Sequence, residues 1–479
     1  MLFPTATFAL FFLLVLPLNW LLMPDPRRWR VFMLVASYVF YGWWDWRFCF
    51  LLAASTVVNQ VLAVAVHRSG ARAQKQVFVG AAVAYNLVVL FVFKYFDFFV
   101  SSFRNAFADV GIHVSPGLIG VALPVGISFF SFMALSYVID VYRGDTTPTT
   151  LSKFAVYLSF FPHVVAGPIV RARELVPQFR TPRDPRRVDA SRAFFLIGSG
   201  LFLKVVIASY LADAIVDDVF GTPERYGAID SLVAVYAYAV QIFADFCGYT
   251  NLAIGIALLL GFQFPQNFDD PYTAISPRDF WRRWHMTLSR WLRDYLYIPL
   301  GGNRKGPRRT YVNLMLVMLL GGLWHGAGWT FVFWGALHGA GLAAEHWRSE
   351  RRGATASSGS EPQRPPRGWA LAWRRLATFN FVCLGWVFFR ADSLGDAFAV
   401  LGRIATGWTQ APELVTGGVL LAIAVGIGGQ YVPTEVFGRL MASFSRRSPV
   451  LQGACLGLAL TVIGALGPAG VAPFIYFRF

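Results

Sequence analysis

Charge is scarce in this sequence. Of its 479 residues only 14% are charged, where an ordinary soluble domain carries about 25%. With 56% hydrophobic and 16% aromatic residues, the composition excludes both a soluble globular enzyme and a disordered chain. Cysteine is scarce too. Cys49, Cys247, Cys383 and Cys455 are far apart in apolar surroundings, with no CxxC or Cys/His spacing, so neither a disulfide scaffold nor a zinc site is indicated. The chain has no GxxxxGK[ST] loop for nucleoside triphosphate, no GxSxG nucleophile elbow and no HExxH metal motif. What it does have is repeated apolar runs punctuated by basic residues. The net charge of +16, from 42 Lys and Arg against 26 Asp and Glu, therefore reads as positive-inside loops and not as a nucleic-acid surface. The expectation is an all-α polytopic membrane protein forming a single membrane domain over 1–479.

Topology follows from the basic loops. Residues 1–23 lack a basic leader and a small-residue cleavage site, so they read as a retained first span. Further spans are expected near 30–45, 48–66, 76–98 and 117–139. The apolar segment 154–170 has basic flanks on both sides, from Lys153 to Arg171 and Arg173. It is broken by Pro162, Gly167 and Pro168 and is barely long enough to cross, which predicts a re-entrant loop. Spans at 193–212 and 229–260 follow, then a hairpin over 310–346 centred on GGLWHGAGW. A low-complexity cytoplasmic linker occupies 348–368, and further spans are expected at 377–389, 413–432 and 449–469. The ending FIYFRF, 473–479 with one residue before it, is expected outside. The count comes to about 11–12 transmembrane helices plus re-entrant and interfacial elements.

Few residues can carry chemistry in such a chain. Over 279–300 a helical winding puts Trp281, Trp284, Leu288, Trp291, Leu292 and Tyr295 on one side. Arg282, Arg283, Arg290 and Arg293 fall on the other, which describes an interfacial helix. His285 lies at the edge of its apolar face, where it reads equally as a packing histidine or a functional one. His325, between Trp324 and Gly326 at the middle of the hairpin, is the stronger candidate. An ionisable group at membrane depth is costly, and a neutral imidazole facing an internal cavity is a competent general base. His338 and His163 could line the same cavity, but each reads better as structural; His67, His113 and His346 read as loop or interface residues. Asp245, close in sequence to Gln241, Tyr249 and Asn251, is a carboxylate in an apolar span. It either orients a histidine or belongs to a buried hydrogen-bond network. These residues leave an enzyme, a transporter and a scaffold all open.

The segments FFPHVVAGPIVR, DFCGYTNLAIGIALLLGF, NFDDPY, DFWRRWHMTLSRWLRDYLYIPLGGNRKG and LWHGAGWTFVFWGALHG occur in that order between about 120 and 345. In combination they resemble the membrane-bound O-acyltransferase (MBOAT) family, most closely its alginate O-acetyltransferase (AlgI) branch with the peptidoglycan and cellulose counterparts. The resemblance implies an MBOAT fold and transfer of an acyl group from a cytoplasmic thioester, acetyl-CoA above all, to an acceptor across the bacterial inner membrane. No bound cofactor is implied. It makes His325 the catalytic candidate and His285 a supporting residue, with Trp324, Asp245, Tyr249, Asn251, Trp281 and His163 as substrate-binding candidates. The family often reads FFPQ and DFSGYSD where this chain has His163, Cys247, Thr250 and Asn251. That leaves the polar role of 245–251 in doubt. Phe474, Tyr476 and Phe479 are similar to the tail of a small partner of the teichoic-acid D-alanyl-transfer member. The similarity makes Tyr476 a candidate acyl relay, against the commoner reading of an interfacial aromatic. Expected partners are membrane lipid, the thioester, an exported polysaccharide and an extracytoplasmic SGNH-type acetyltransferase. The competing classes are a transporter of acyl groups or glycans and a non-catalytic scaffold of an acetylation complex.

Overall fold

The computed structural model describes residues 1–108, 110–112, 117–118, 120, 122–351, 353 and 367–467. Helix follows helix, and no strand occurs among the described residues. The chain divides into two compact units, 1–193 with 252–265 and 194–251 with 266–479.

The first unit contains α1 (Ala6–Leu22), α2 (Pro26–Gly42), α3 (Phe48–Arg68), α4 (Arg72–Ala108), α5 (Ile127–Arg143) and α6 (Leu151–Ser159). Local chemistry starts them. Asp25 caps α2, accepting from the Arg27 and Arg28 amides at 2.9 and 3.2 Å, and Pro26 presets the first helical turn. α4 runs through a π-helical turn at Phe91–Tyr95. α5 is buried almost along its whole length, its polar residues Ser128, Ser131, Ser136 and Asp140 included. α6 stops at Ser159, and 160–170 continue as irregular, fully buried backbone. The breakers Pro162, Gly167 and Pro168 thus interrupt the helix within the apolar segment.

The second unit contains α7 (Ala190–Gly221, from Phe194 onward) and the unit's share of α8 (Ala228–Leu259). Beyond them come α9 (Pro277–Arg283), α10 (Met286–Leu292), α11 (Pro307–His325), α12 (Trp329–Arg351), α13 (Trp369–Arg390), α14 (Leu394–Thr406), α15 (Gly417–Gly428), α16 (Thr434–Ser445) and α17 (Pro449–Leu466). α7 carries two π-helical stretches, Phe202–Ala208 and Ala212–Val216. Pro433 lies in the break between Gly417–Tyr431 and Thr434–Ser445, which meet at 92°.

By length and composition four helices among the described residues can cross a membrane, or five if that bent pair is one span. The eleven or twelve crossings expected from hydropathy included shorter helices such as α1, of 17 residues, and arms carrying more charge. The interfacial segment also differs from its expectation: 279–300 is not one helix. α9 and α10 are separated at Trp284 and His285, and a π-helical turn, Arg293–Tyr297, follows. The linker 348–368 is described only at 348–351, 353 and 367–368, while His113, Tyr476 and the tail 473–479 lie outside the described residues.

Candidate functional site

The hairpin of α11 and α12 places His325. Its arms pack closely because glycines face backbone: a Cβ on Gly322 would lie 2.2 Å from the Phe331 carbonyl oxygen, and one on Gly335 2.4 Å from that of Met318. The glycines let the arms touch. His325 is the last helical residue of α11 and is 3% exposed. Three aromatic rings surround it edge to face, Trp324, Trp334 and Phe389, with centroids 5.0, 5.1 and 5.2 Å away.

His285 is held differently. Its φ of +42° is in the left-handed region, uncommon for a residue with a side chain, and it breaks the helix between α9 and α10. Asn267 supports this turn. Its backbone carbonyl accepts from the Met286 amide at 2.9 Å, and its side-chain Oδ1 accepts from the Thr287 amide at 3.2 Å and hydroxyl at 2.9 Å. An amide N–H can only donate, so the atom facing Thr287 must be the oxygen. His285 Nδ1, 3.1 Å from the same oxygen, then carries the proton and donates. The tautomer leaves Nε2 as a bare lone pair, buried and without a hydrogen-bond partner among the described residues. Phe246 packs edge-on at 4.7 Å, and the Trp324 ring lies 5.9 Å away. Trp324 thus touches both histidines.

A cavity of about 440 Å³ has His325 in its wall. Trp281, Leu288, Val317, Met318 and Trp334 give it an apolar lining, and Arg278, Arg282, Arg290, Arg293 and Tyr297 give it a basic, polar part. Glu345 approaches Arg278 at 4.0 Å and Asp294 accepts from Arg293 at 2.7 Å, so part of that positive charge is already balanced. The helix break explains the arrangement: Trp284, Leu288, Trp291, Leu292 and Tyr295 are buried, as the periodicity predicts, while Arg282 and Arg293 stay exposed. Among the described residues no group of three or more His, Cys, Asp or Glu is placed to hold a metal ion.

The remaining candidates disperse. Asp245 pairs with Lys204 on the first π-helical stretch of α7, both side chains buried, so its partner is a lysine and not a histidine. Tyr249 is buried one turn further along α8, and Asn251 is half-buried. His163 belongs to the first unit, where its Nε2 donates to the Tyr157 carbonyl at 2.8 Å and its ring stacks on Phe264. That is a packing role. His338 is buried among Phe280, Trp281, Trp334 and Phe381 and is not in the cavity wall. His346 lies 3.5 Å from Glu350. Asn267, Lys204, Trp334 and Phe389 were not singled out by sequence reasoning. Asn267 and Trp334 lie inside the quoted segments NFDDPY and LWHGAGWTFVFWGALHG, and Lys204 stands out as a lone lysine in an apolar span, while Phe389 carried no such signal.

Comparison with known proteins identifies the family. The membrane-bound O-acyltransferase family profile matches residues 35–352. A probable alginate O-acetylase, AlgI, of Azotobacter vinelandii is 43% identical over 393 residues, covering 80% of this chain and 75% of that protein. A peptidoglycan O-acetyltransferase of Helicobacter pylori is 36% identical, covering 78% and 73%. A teichoic acid D-alanyltransferase of Streptococcus thermophilus is 28% identical, covering 61% and 75%. The chain belongs to the membrane-bound O-acyltransferase family, as an acyltransferase related to alginate and peptidoglycan O-acetyltransferases.

Proposed function

We propose that the chain moves an acetyl group from a cytoplasmic thioester, acetyl-CoA, to a hydroxyl destined for an exported polysaccharide, in the bacterial cytoplasmic membrane. The observation that carries this reading is the cavity with His325 in its apolar wall and four arginines along its lining. An apolar pocket excludes water from a thioester, and guanidinium groups match the phosphates of its carrier. His325 is the general base: it takes the acceptor's hydroxyl proton as oxygen attacks the thioester carbonyl. The C–S bond breaks, and the departing thiolate takes the proton back, so that ester and thiol are the products. His285 is a supporting residue: its ring packs 5.9 Å from that of Trp324, which in turn packs edge-on to His325. Trp281, in the cavity wall, is the binding residue this geometry favours, while Trp324 packs between the two histidines. Transfer ends on the glycan directly, or passes through an SGNH-type extracytoplasmic partner with Tyr476 as relay. The acyltransferase relatives weigh against a transporter or a scaffold.

The test is CoA release from acetyl-CoA by purified protein in nanodiscs, with a soluble glycan acceptor. His325→Ala should lower kcat by about 100-fold or more, in line with loss of general-base catalysis. Equal rates for variant and wild type would remove His325 from the chemistry.

A further inference from the structure

A second pocket, of about 290 Å³, lies in the first unit, at the start of α6. Its walls are Tyr137 of α5, the loop 146–150, Lys153 on the first turn of α6, and Ala172, Val176, Pro177 and Arg180. No lining residue is acidic. Asp140 and Asp145, neither of them in the lining, face Arg173 at 4.0 and 3.6 Å. Lys153 and Arg180 form no ion pair among the described residues, and the Thr146 and Thr147 hydroxyls make no hydrogen bond there. Two cations and two free hydroxyls therefore share one concave, acid-free surface.

The loop that presents them is fixed in advance. Tyr137 Oη accepts from the Thr149 amide at 2.9 Å and donates to Gln60 Oε1 at 3.0 Å, while Gln60 Nε2 donates to the Thr149 carbonyl at 2.6 Å. This closed ring joins α3, α5 and the loop, and Pro148 restricts the backbone beside it. Binding would not have to order the loop, so the cost of association is reduced.

We propose that this pocket binds a phosphoryl group, with Lys153 and Arg180 supplying charge and the threonines supplying donors. Lys and Arg with hydroxyls match a tetrahedral oxyanion. The small volume admits one such group and a short part of whatever carries it. Two carriers share this chemistry, the headgroup of an anionic phospholipid and a soluble phosphate ester. Both cations belong to the basic flanks that read as cytoplasmic in the sequence. The site belongs to the first unit, shares no lining residue with the cavity of His325 and does not rest on the acyl-transfer reading.

The experiment uses the full chain in phosphatidylcholine nanodiscs, with inorganic phosphate and dioctanoyl phosphatidic acid as probes, read by thermal shift and native mass spectrometry. Saturable binding of either probe is expected, weakened at least about tenfold by Lys153→Gln with Arg180→Gln. Lys153→Arg with Arg180→Lys should retain it. Binding of both probes in competition supports the shared site; the lipid alone identifies a headgroup, and phosphate alone a soluble ester. His325→Ala should bind like wild type, which separates failure of this site from failure of the acyl-transfer reading. No saturable binding of either probe, or equal binding by the glutamine variant, would overturn the proposal.

Discussion

His285 occupies a backbone conformation that residues with a Cβ rarely adopt, and the state of its ring follows from what holds it there. The Thr287 amide fixes the Asn267 oxygen, and that oxygen fixes the imidazole proton on Nδ1. Replacing Asn267 by Leu would remove the acceptor of three donors, the Thr287 amide and hydroxyl and His285 Nδ1, at about 1–3 kcal/mol for each one left unsatisfied. A thermal-melt comparison should show the loss, and kcat should fall more than KM changes because the ring is no longer oriented. Asp270 gives a pH-dependent counterpart. Half-burial, then the adjacent Asp269, raises its carboxyl above the ordinary value of 3.8. The folded chain then holds this proton more tightly than the unfolded one. Stability falls as pH rises from the unfolded value through the raised one, and the penalty is fully present above it. Asp270→Asn, tolerated at its φ of +44°, should therefore stabilise the chain at neutral pH. The gain should vanish in acid; a gain of equal size at every pH would contradict the assignment.

Among the elements, the α11–α12 hairpin depends on glycine where backbone meets backbone. Gly335→Ala should reduce the yield of folded protein, while Gly438→Ala, with nothing within 4 Å of the added methyl, should not. Size-exclusion profiles of the two variants check this. The α7–α8 contact depends on the buried Lys204–Asp245 pair. Lys204→Met alone would leave a buried carboxylate without its cation and cost about 3–5 kcal/mol, and adding Asp245→Leu should restore most of it. If the single variant melts like wild type, the pair does not hold these helices. Sequence and structure meet unevenly at this scale. Pro162, Gly167 and Pro168 show in advance that 154–170 cannot be one helix, because proline acts locally. The break at His285 is not legible in the same way. RRWHMTLSRWL has unbroken helical periodicity, and the left-handed turn is set by Asn267, eighteen residues away in sequence. Lys204 is visible as a lone lysine in an apolar span, but a single sequence does not say which carboxylate it meets.

Across the whole molecule, low charge, apolar runs and a basic excess already specify an all-helical membrane protein, because those properties sum over hundreds of residues. The motif around His325 specified the family, and the structure adds why a histidine there can work: it is ringed by three aromatic groups and open to a cavity. Two other buried histidines are packed for structure, His163 against a backbone carbonyl and His338 among aromatic rings. The proposed function therefore rests on one side chain, and one measurement addresses it. The ester-linked acetyl content of exported glycan should be compared in a deletion strain complemented with wild type or His325→Ala at matched membrane levels. Restored acetylation with wild type and background levels with the variant are the predicted result. Wild-type acetylation by His325→Ala would contradict the assignment of this histidine as the base.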